Sequence, residues 1–154
     1  TDFTEQATVS LADTRPIEGR WSVFEQPVTL PTASLNVKGC MEDKSIWKKL
    51  LSRLRIYLGL WMPKETTIWS IRLGDMVMMT WPGEPTTALG LELKKMATQA
   101  GFKQAWVMGL TNDHMAYFTT HQEYDEGGYE ACSTLHGYQG GERLMSAHSQ
   151  LLTH

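Results

Sequence analysis

The chain has 154 residues, of which 42% are hydrophobic and 20% charged, and its formal net charge at pH 7 is −3. These values are typical of one globular domain with its own hydrophobic core. The slight negative charge gives no electrostatic basis for binding nucleic acid. Because no apolar run reaches about 18 residues, the sequence predicts no membrane-spanning helix.

Six tryptophans and nine methionines are many for this length. They predict an aromatic-rich core, which is the favoured interpretation, or an apolar surface that contacts lipid. The two cysteines, Cys40 and Cys132, lack the spacing of a metal site. They are therefore either buried thiols or one disulfide.

The N-terminal quarter is predicted to contain little regular structure. Residues 1–20 read as a polar lead-in arm, residues 21–31 as an extended segment and residues 32–43 as a loop. Pro27 and Pro31 would confine the extended segment to a sheet edge or to irregular structure, because proline cannot donate a ladder hydrogen bond.

Residues 45–60 are predicted to form an amphipathic helix. Apolar residues recur there at intervals of four, with basic residues between them. The apolar positions are Ile46, Leu50, Leu54 and Leu58. This helix either packs on the domain or lies at a membrane surface, and packing is favoured because most amphipathic helices are structural.

The centre of the chain predicts a strand, a hairpin turn, a strand, a helix and a strand. Residues 68–73 and 76–81 are apolar runs around the turn signal Gly74-Asp75. Helical spacing follows over residues 86–100, and residues 103–110 read as a second buried strand. A strand, a helix and a strand at this spacing form a βαβ unit with parallel strands, so the predicted class is α/β with a mixed sheet.

The central helix has a predicted apolar face and a glycine after its end. Gly101 follows as the expected C-terminal cap. The face consists of Leu89, Leu93, Met96 and Ala100.

The two parallel strands should bring two loops together. Parallel strands end at the same edge of a sheet, where α/β proteins place their ligands. Glu84 lies just past one strand and residues 111–117 lie just past the other, so both should open into one crevice. Gly83 would let the backbone turn sharply beside a ligand. By itself, Glu84 would be read as a charge that complements a helix dipole, and Tyr117 as a core aromatic residue.

The C-terminal third predicts two further helices. Thr120 and Glu123 have the spacing of a capping box, which predicts a helix start, and Gly127-Gly128 would break that segment. Residues 133–141 read as a glycine-rich loop. Residues 142–152 read as a terminal helix, with four residues roughly on one side: Leu144, His148, Leu151 and Leu152.

Two stretches of the chain resemble the neutral/alkaline non-lysosomal ceramidase family. They read TWPGEPTT over residues 80–87 and GLTNDHMAYFTTHQEYDEGGYEACSTLHG over residues 109–137. The family carries PGE(F)TT and then a block G-L-x-N-x-Y-x-x-Y-x-T-T-x-E-E-Y with a following Y-E-x-A-S-T-L. The similarity covers roughly residues 74–137, and residues 1–63 give no secure alignment.

The resemblance implies a hydrolase that cleaves the N-acyl amide of ceramide to sphingosine and a fatty acid, with zinc held by two His, one Glu and one Tyr. It implies that Glu84 and Tyr117 are zinc ligands. It also implies that Tyr129 lies near the zinc and hydrogen-bonds the scissile carbonyl. Zinc accepts oxygen and imidazole ligands and lowers the pKa of bound water towards about 7. The residues that would shape the substrate loop are Asn112, His114, Thr119, Thr120 and Glu130.

Five positions depart from the family pattern. His114 replaces a tyrosine and is a further candidate zinc ligand, and Pro85 replaces a phenylalanine. Gly127-Gly128 replaces residues that include a glutamine, and His136 replaces an aromatic residue. These changes keep two alternatives open. The chain could act on another N-acyl lipid or an ester, or it could bind lipid or protein without catalysis.

The resemblance further implies that parts of the enzyme lie elsewhere. The family's two His ligands and a Ser lie upstream of PGE, and residues 1–73 contain no histidine. The chain is therefore expected to be the C-terminal portion of a larger catalytic domain. Its expected partners are the N-terminal portion of the same precursor, a lipid substrate and a membrane surface. Thr1 as an N-terminal nucleophile is the weaker alternative.

Along the chain, residues 1–65 would be the lead-in, residues 66–140 the family-matched half of the metal site and residues 141–154 the terminal helix. The family resemblance also implies a secreted, periplasmic or cell-surface protein.

Overall fold

The computed structural model describes residues 19–36, Cys40 and residues 55–153. Within these ranges the chain forms eight strands and four helices. The strands are β1 Trp21–Thr29, β2 Ser34–Asn36, β3 Arg55–Tyr57, β4 Glu65–Leu73, β5 Met76–Thr80, β6 Glu84–Pro85, β7 Gln104–Met108 and β8 Tyr117–Phe118. The helices are α1 Thr87–Gln99, α2 His121–Glu126, α3 Tyr129–Cys132 and α4 Tyr138–Leu152.

A four-stranded mixed sheet in the order β1-β4-β5-β7 forms the main layer. β4 pairs antiparallel with both β1 and β5, and β5 pairs parallel with β7. The predicted α/β class, the hairpin turn at Gly74-Asp75 and the parallel βαβ unit are confirmed. Pro27 lies in β1, at the edge of the sheet, as its missing N–H predicts.

Helices α1 and α4 cover one face of this sheet and form the core with it. From the sheet, Ile68, Val77 and Met79 are fully buried. Leu93 of α1 and Leu144 of α4 are buried in the same cluster. Each such side chain contributes roughly 1.5–3 kcal/mol through removal from water, so this layer carries most of the stability of the described part.

The opposite face of the sheet carries an apolar row that is exposed at its two edge strands and half-buried at Ile71 and Met78. Register pairing places Val23, Ile71, Met78 and Trp106 in one row across all four strands. Val23 is 61% exposed and Trp106 60%. We call this surface, together with Trp21 at the end of β1, the open face.

The strand predicted within residues 103–110 is confirmed at Gln104–Met108, but the prediction that it is buried is wrong. Strand β7 is the last in the sheet, and its residues alternate between exposed and half-buried. The prediction that Ala100 lies on the buried face of α1 is also wrong, because Ala100 is the C-cap residue and Ala97 is buried instead. Gly101 follows with φ of 99°, as predicted for a helix end.

The predicted helix over residues 45–60 is wrong where the structure describes it. Residues 45–54 lie outside the described ranges, Arg55–Tyr57 is strand β3, and residues 59–62 form a turn. An interval of four residues is a multiple of the strand period of two, so the spacing fits a strand as well as a helix. The partner strand is β2, in residues 32–43 that were predicted to be loop.

The predicted glycine-rich loop over residues 133–141 is wrong at its end, because helix α4 begins at Tyr138. Gly140 and Gly141 are helical and buried. A Cβ at Gly140 would lie 2.9 Å from Cβ of His136, and one at Gly141 would lie 2.9 Å from the Thr119 carbonyl oxygen. These glycines therefore serve close packing. The rest of the terminal helix is confirmed, and its four predicted residues are buried.

Cys40 and Cys132 form a disulfide with their Cα atoms 4.4 Å apart, which decides between the two predicted states. The bridge joins residues 92 positions apart in the chain. Among the described residues, no helix has the length and hydropathy needed to cross a membrane.

His148 of α4 is a buried base within the core. Its ring stacks on Trp81 with centroids 5.7 Å apart, and its Nε2 lies 3.0 Å from the Thr80 carbonyl oxygen. Burial lowers the pKa of His148 to about 4, although the hydrogen bond to Thr80 acts in the opposite direction. An unfolded histidine takes up its proton near pH 6.5, so the folded state loses stability as the pH falls from 6.5 towards 4.

We expect His148→Phe to remove most of this pH dependence. Phenylalanine can stack on Trp81 but cannot take up a proton. Between pH 7 and pH 5, its free energy of unfolding should fall by about 2 kcal/mol less than that of the wild type. Urea unfolding at several pH values measures this difference. The exposed His114→Gln is the control and should keep the wild-type slope, whereas equal slopes in His148→Phe and the wild type would contradict the prediction.

Candidate functional site

Glu84 and Tyr117 lie side by side in a pair of short parallel strands. Strands β6 and β8 pair in parallel, with Glu84 opposite Tyr117. The Glu84 N–H donates to the Ala116 carbonyl at 2.9 Å, and the Thr86 N–H donates to the Phe118 carbonyl at 3.0 Å. The predicted convergence of the two loops is therefore confirmed.

Gly83 permits this pairing because it has no side chain. A Cβ there would lie 2.3 Å from the Ala116 carbonyl oxygen and 2.8 Å from Cε2 of Phe118. Gly83 lies in a bend, as predicted. The structure adds a second requirement for glycine, which is the close approach of two backbones.

The loop between β7 and β8 has an unusual backbone and is fixed at several points. Leu110, Asn112 and Ala116 have φ values of 53°, 77° and 60°. L-residues adopt these left-handed conformations at a cost of roughly 1–2 kcal/mol each, although asparagine tolerates them well. The Asn112 amide donates to the Thr67 carbonyl at 3.3 Å, and the Thr66 hydroxyl donates to the Asp113 carboxylate at 2.6 Å. The loop is thereby fixed to β4.

The environment of Tyr117 is acidic. Hydrogen bonding to the Glu84 carboxylate raises the pKa of the Tyr117 phenol, and burial and the charge on Glu84 raise it further. Smaller contributions come from Tyr129 and Glu130. Two oxygen donors beside further negative charge favour a bound cation, which would reverse this pKa shift.

Tyr129, at the start of α3, contacts Tyr117 directly. The two rings meet edge to face, with centroids 5.5 Å apart. The Tyr129 side chain is 68% exposed, so its phenol is accessible to a ligand. Three of the predicted functional residues, Glu84, Tyr117 and Tyr129, therefore form one connected group.

A cleft of about 390 Å³ opens beside Tyr117. Three carboxylates, those of Glu123, Glu126 and Glu130, lie in its wall. The complete lining is Pro85, Thr86, Thr87, Tyr117, Thr119, Glu123, Glu126, Gly127, Glu130 and Ala131.

Glu123 connects the two sides of this cleft. Its Oε2 accepts hydrogen bonds from the Thr86 hydroxyl at 2.8 Å and from the Thr120 N–H and hydroxyl at 2.9 Å each. Desolvation acts to raise the pKa of Glu123, but the hydrogen bonds from Thr120 and Thr86 together hold it below its usual value. The predicted capping box of α2 is confirmed, and Gly127 with φ of 87° ends that helix.

The remaining predicted site residues fall into two groups. Thr119 and Glu130 line the cleft, and Thr120 caps α2 beside it. Asn112 and His114 are exposed on the preceding loop and do not line the cleft. The sequence pattern did not identify the Thr86 side chain or Glu126 as site residues, although Thr86 lies in the same PGEPTT stretch as Glu84.

The donor set fits part of a zinc site. Among the described residues, no group of three His, Cys, Asp and Glu side chains is placed to hold a metal ion. Glu84 and Tyr117 offer a carboxylate and a phenol side by side, and zinc usually takes four ligands. Glu84 and Tyr117 would be suitable as two of these four ligands.

Comparison with known proteins identifies a matching family over most of the chain. The family described as neutral/alkaline non-lysosomal ceramidase, N-terminal, matches residues 3–146. A neutral ceramidase of Drosophila pseudoobscura pseudoobscura is 35% identical over 124 residues, which cover 76% of this chain and 17% of that protein. A neutral ceramidase of Mycobacterium tuberculosis is 39% identical over 70 residues, or 44% of this chain and 11% of that protein.

The fold matches as well. The crystal structure of a neutral ceramidase from Pseudomonas aeruginosa has a TM-score of 0.74 and 16% sequence identity, and the match covers 98% of this chain and 31% of that one. A structure described as ceramidase complexed with C2 gives the same TM-score and covers 32% of its chain. The chain thus spans about a third or less of the proteins that it matches.

We expect Gly83→Ala to force β6 away from β8. Overpacking of this kind should lower the free energy of unfolding by about 1–3 kcal/mol, and the Glu84 amide should exchange faster with solvent. Denaturant unfolding and amide hydrogen exchange measure the two effects. Gly90→Ala is the matched control, because no atom lies within 4 Å of its added Cβ. Alanine in a helix should stabilise by roughly 0.5–1 kcal/mol, so a gain in stability from both variants would contradict the prediction.

Proposed function

Because the chain belongs to the neutral/alkaline non-lysosomal ceramidase family, we propose that it supplies part of the active site of a zinc-dependent amidohydrolase. The proposed reaction is cleavage of the N-acyl amide bond of ceramide to sphingosine and a fatty acid. The observation that carries the proposal is the pairing of Glu84 with Tyr117 at the edge of an open cleft. This arrangement brings together the two oxygen ligands that the family resemblance implies.

Glu84 and Tyr117 would hold the zinc from one side. When bound, zinc would supply a nucleophilic hydroxide at neutral pH and polarise the substrate carbonyl. The acidic setting of Tyr117 supports a cation there, since a nearby positive charge would stabilise its phenolate. The Glu84 carboxylate would be the second oxygen ligand.

Tyr129 would act on the substrate itself. Its exposed phenol lies against the Tyr117 ring and can donate a hydrogen bond to the scissile carbonyl oxygen. A donor placed where negative charge develops contributes about 2.7–4 kcal/mol to the transition state. The substrate loop would consist of Thr119, Thr120 and Glu130 at the cleft and Asn112 and His114 beyond it.

The remaining ligands would come from the rest of a family-length polypeptide. We propose that its N-terminal portion supplies two His ligands and a Ser, and that it packs on the open face. Support comes from the length of the relatives, of which this chain matches 11–17%. The row of apolar residues that includes Val23 and Trp106 supports it too, because exposed apolar patches mark interaction surfaces.

We further propose that the protein works outside the cytoplasm, in a secreted, periplasmic or cell-surface setting. The disulfide between Cys40 and Cys132 supports this location, because such bonds persist mainly in oxidising compartments. Lipid substrates would reach the cleft there from a membrane surface.

Measurements of zinc content and ceramide hydrolysis should distinguish a zinc ligand, Glu84, from a residue that acts on the substrate, Tyr129. In the longest natural polypeptide that contains this chain, Glu84→Ala should lower zinc affinity at least about 10-fold and abolish most activity. Tyr129→Phe should retain zinc and lower kcat by about 10²–10³. Metal analysis and a ceramide assay measure both.

Tyr138→Phe is the control for loss of a phenol, because that ring stacks on His121 and lies outside the cleft lining. It should keep both zinc and activity. A protein that is active without zinc, or fully active as Glu84→Ala, would contradict the proposal. Hydrolysis of shorter N-acyl amines or esters, with no hydrolysis of ceramide, would favour the alternative substrate. Lipid binding with no hydrolysis of any of these compounds would favour a non-catalytic role.

A charge on the open face should reveal whether another layer covers it. In the same polypeptide, Val23→Lys should destabilise the fold by roughly 2–5 kcal/mol, since an unpaired charge would then be buried. Leu91→Lys is the matched control, because Leu91 is 62% exposed on α1 and Val23 is 61% exposed. Thermal or urea unfolding measures both variants. Equal tolerance of the two lysines would contradict packing on the open face.

A further inference from the structure

One carboxylate oxygen links the two strands that carry Glu84 and Tyr117. Glu123 Oε2 binds the Thr86 hydroxyl, two residues after Glu84. The same oxygen binds the Thr120 N–H and hydroxyl, three residues after Tyr117. The hydrogen bonds are 2.8–2.9 Å long. The bond to Thr86 joins residues that are 37 positions apart in sequence.

The capping box explains only part of this arrangement. Helix α2 needs the reciprocal bonds between Thr120 and Glu123, which satisfy its first N–H groups. It does not need Thr86. The Thr86 side chain makes no capping bond to its own helix α1, although it occupies the N-cap position. The bond between Thr86 and Glu123 is therefore an addition that neither helix requires.

The strand pair would be weak without such a link. Strands β6 and β8 have two residues each and lie in a two-stranded sheet. Isolated two-stranded pairs are marginal in water. A charged acceptor that holds both strands at their ends restricts the separation between them, because charge-assisted hydrogen bonds are stronger than neutral ones.

We propose that Glu123 is a positioning residue, which fixes Glu84 relative to Tyr117 through its hydrogen bond to Thr86. Its effect on hydrolysis rests on the proposed function, whereas its effect on the geometry of the strand pair does not. Glu123 acts through Thr86 and Thr120, and the bonds described here do not require it to touch the substrate.

The test removes the link and leaves the capping box in place. Thr86→Val, made in the longest natural polypeptide that contains this chain, lacks the hydroxyl donor. The Glu84 and Thr86 amides donate across the strand pair, so their hydrogen exchange should become about 10-fold faster. The kcat for ceramide should fall about 10-fold or more, because small misplacements of reacting groups are costly, and KM should stay within about 2-fold.

Two companion variants sharpen the result. Thr86→Ser keeps the hydroxyl and should restore both exchange protection and kcat. Thr98→Val is the matched control, since the Thr98 hydroxyl bonds only within α1, to the Lys94 carbonyl, and it should behave like the wild type. In a Glu123→Ala background that folds, Thr86→Val should cause no additional change in exchange.

The outcomes are distinct. Unchanged exchange and kcat in Thr86→Val would overturn the proposal, and faster exchange with unchanged kcat would overturn its role in the reaction. Faster exchange together with a lower kcat, both restored in Thr86→Ser, would support the proposal. Faster exchange in a protein whose wild type hydrolyses no N-acyl lipid would support the link between the strands and contradict the proposed function.

Discussion

The parallel pairing of Glu84 with Tyr117 is the constraint on which the candidate site depends. Neighbouring strands lie about 4.8 Å apart, so paired residues that point the same way are immediate neighbours. Here the pairing requires a glycine at position 83, since any side chain there would meet the Ala116 carbonyl. It also requires left-handed backbone at Ala116. Local strain of this kind is typical of functional sites, where the surrounding structure holds it in place.

Much of the fold follows from local pattern. The hairpin at Gly74-Asp75, helix α1 and the capping box of α2 have signals within a few residues, and the structure confirms each. Strand β3 was missed because its three residues are too few to show a period of their own within the helical spacing around them. The start of α4 was missed because Gly140 and Gly141 read as loop formers, whereas their function is to let the helix approach Thr119 and His136 closely.

The candidate site was predictable in part, for a geometric reason. Two strands in a βαβ unit end at the same edge, so Glu84 and the loop after β7 had to converge. The contact between Thr86 and Glu123 joins residues 37 positions apart and leaves no periodic signal in the sequence. His136, which departs from the family pattern, keeps the packing of an aromatic residue. Its neutral ring stacks on Phe118 with the planes 6° apart, as an aromatic residue would.

The disulfide bears on Tyr129 as well as on stability. Cys132 is the last residue of the four-residue helix α3, and Tyr129 is the first. The bond to Cys40 thus anchors the short turn of backbone that presents the Tyr129 phenol. A thiol reductant would release that turn from its covalent anchor. The orientation of this phenol is consequently tied to the redox state of its surroundings.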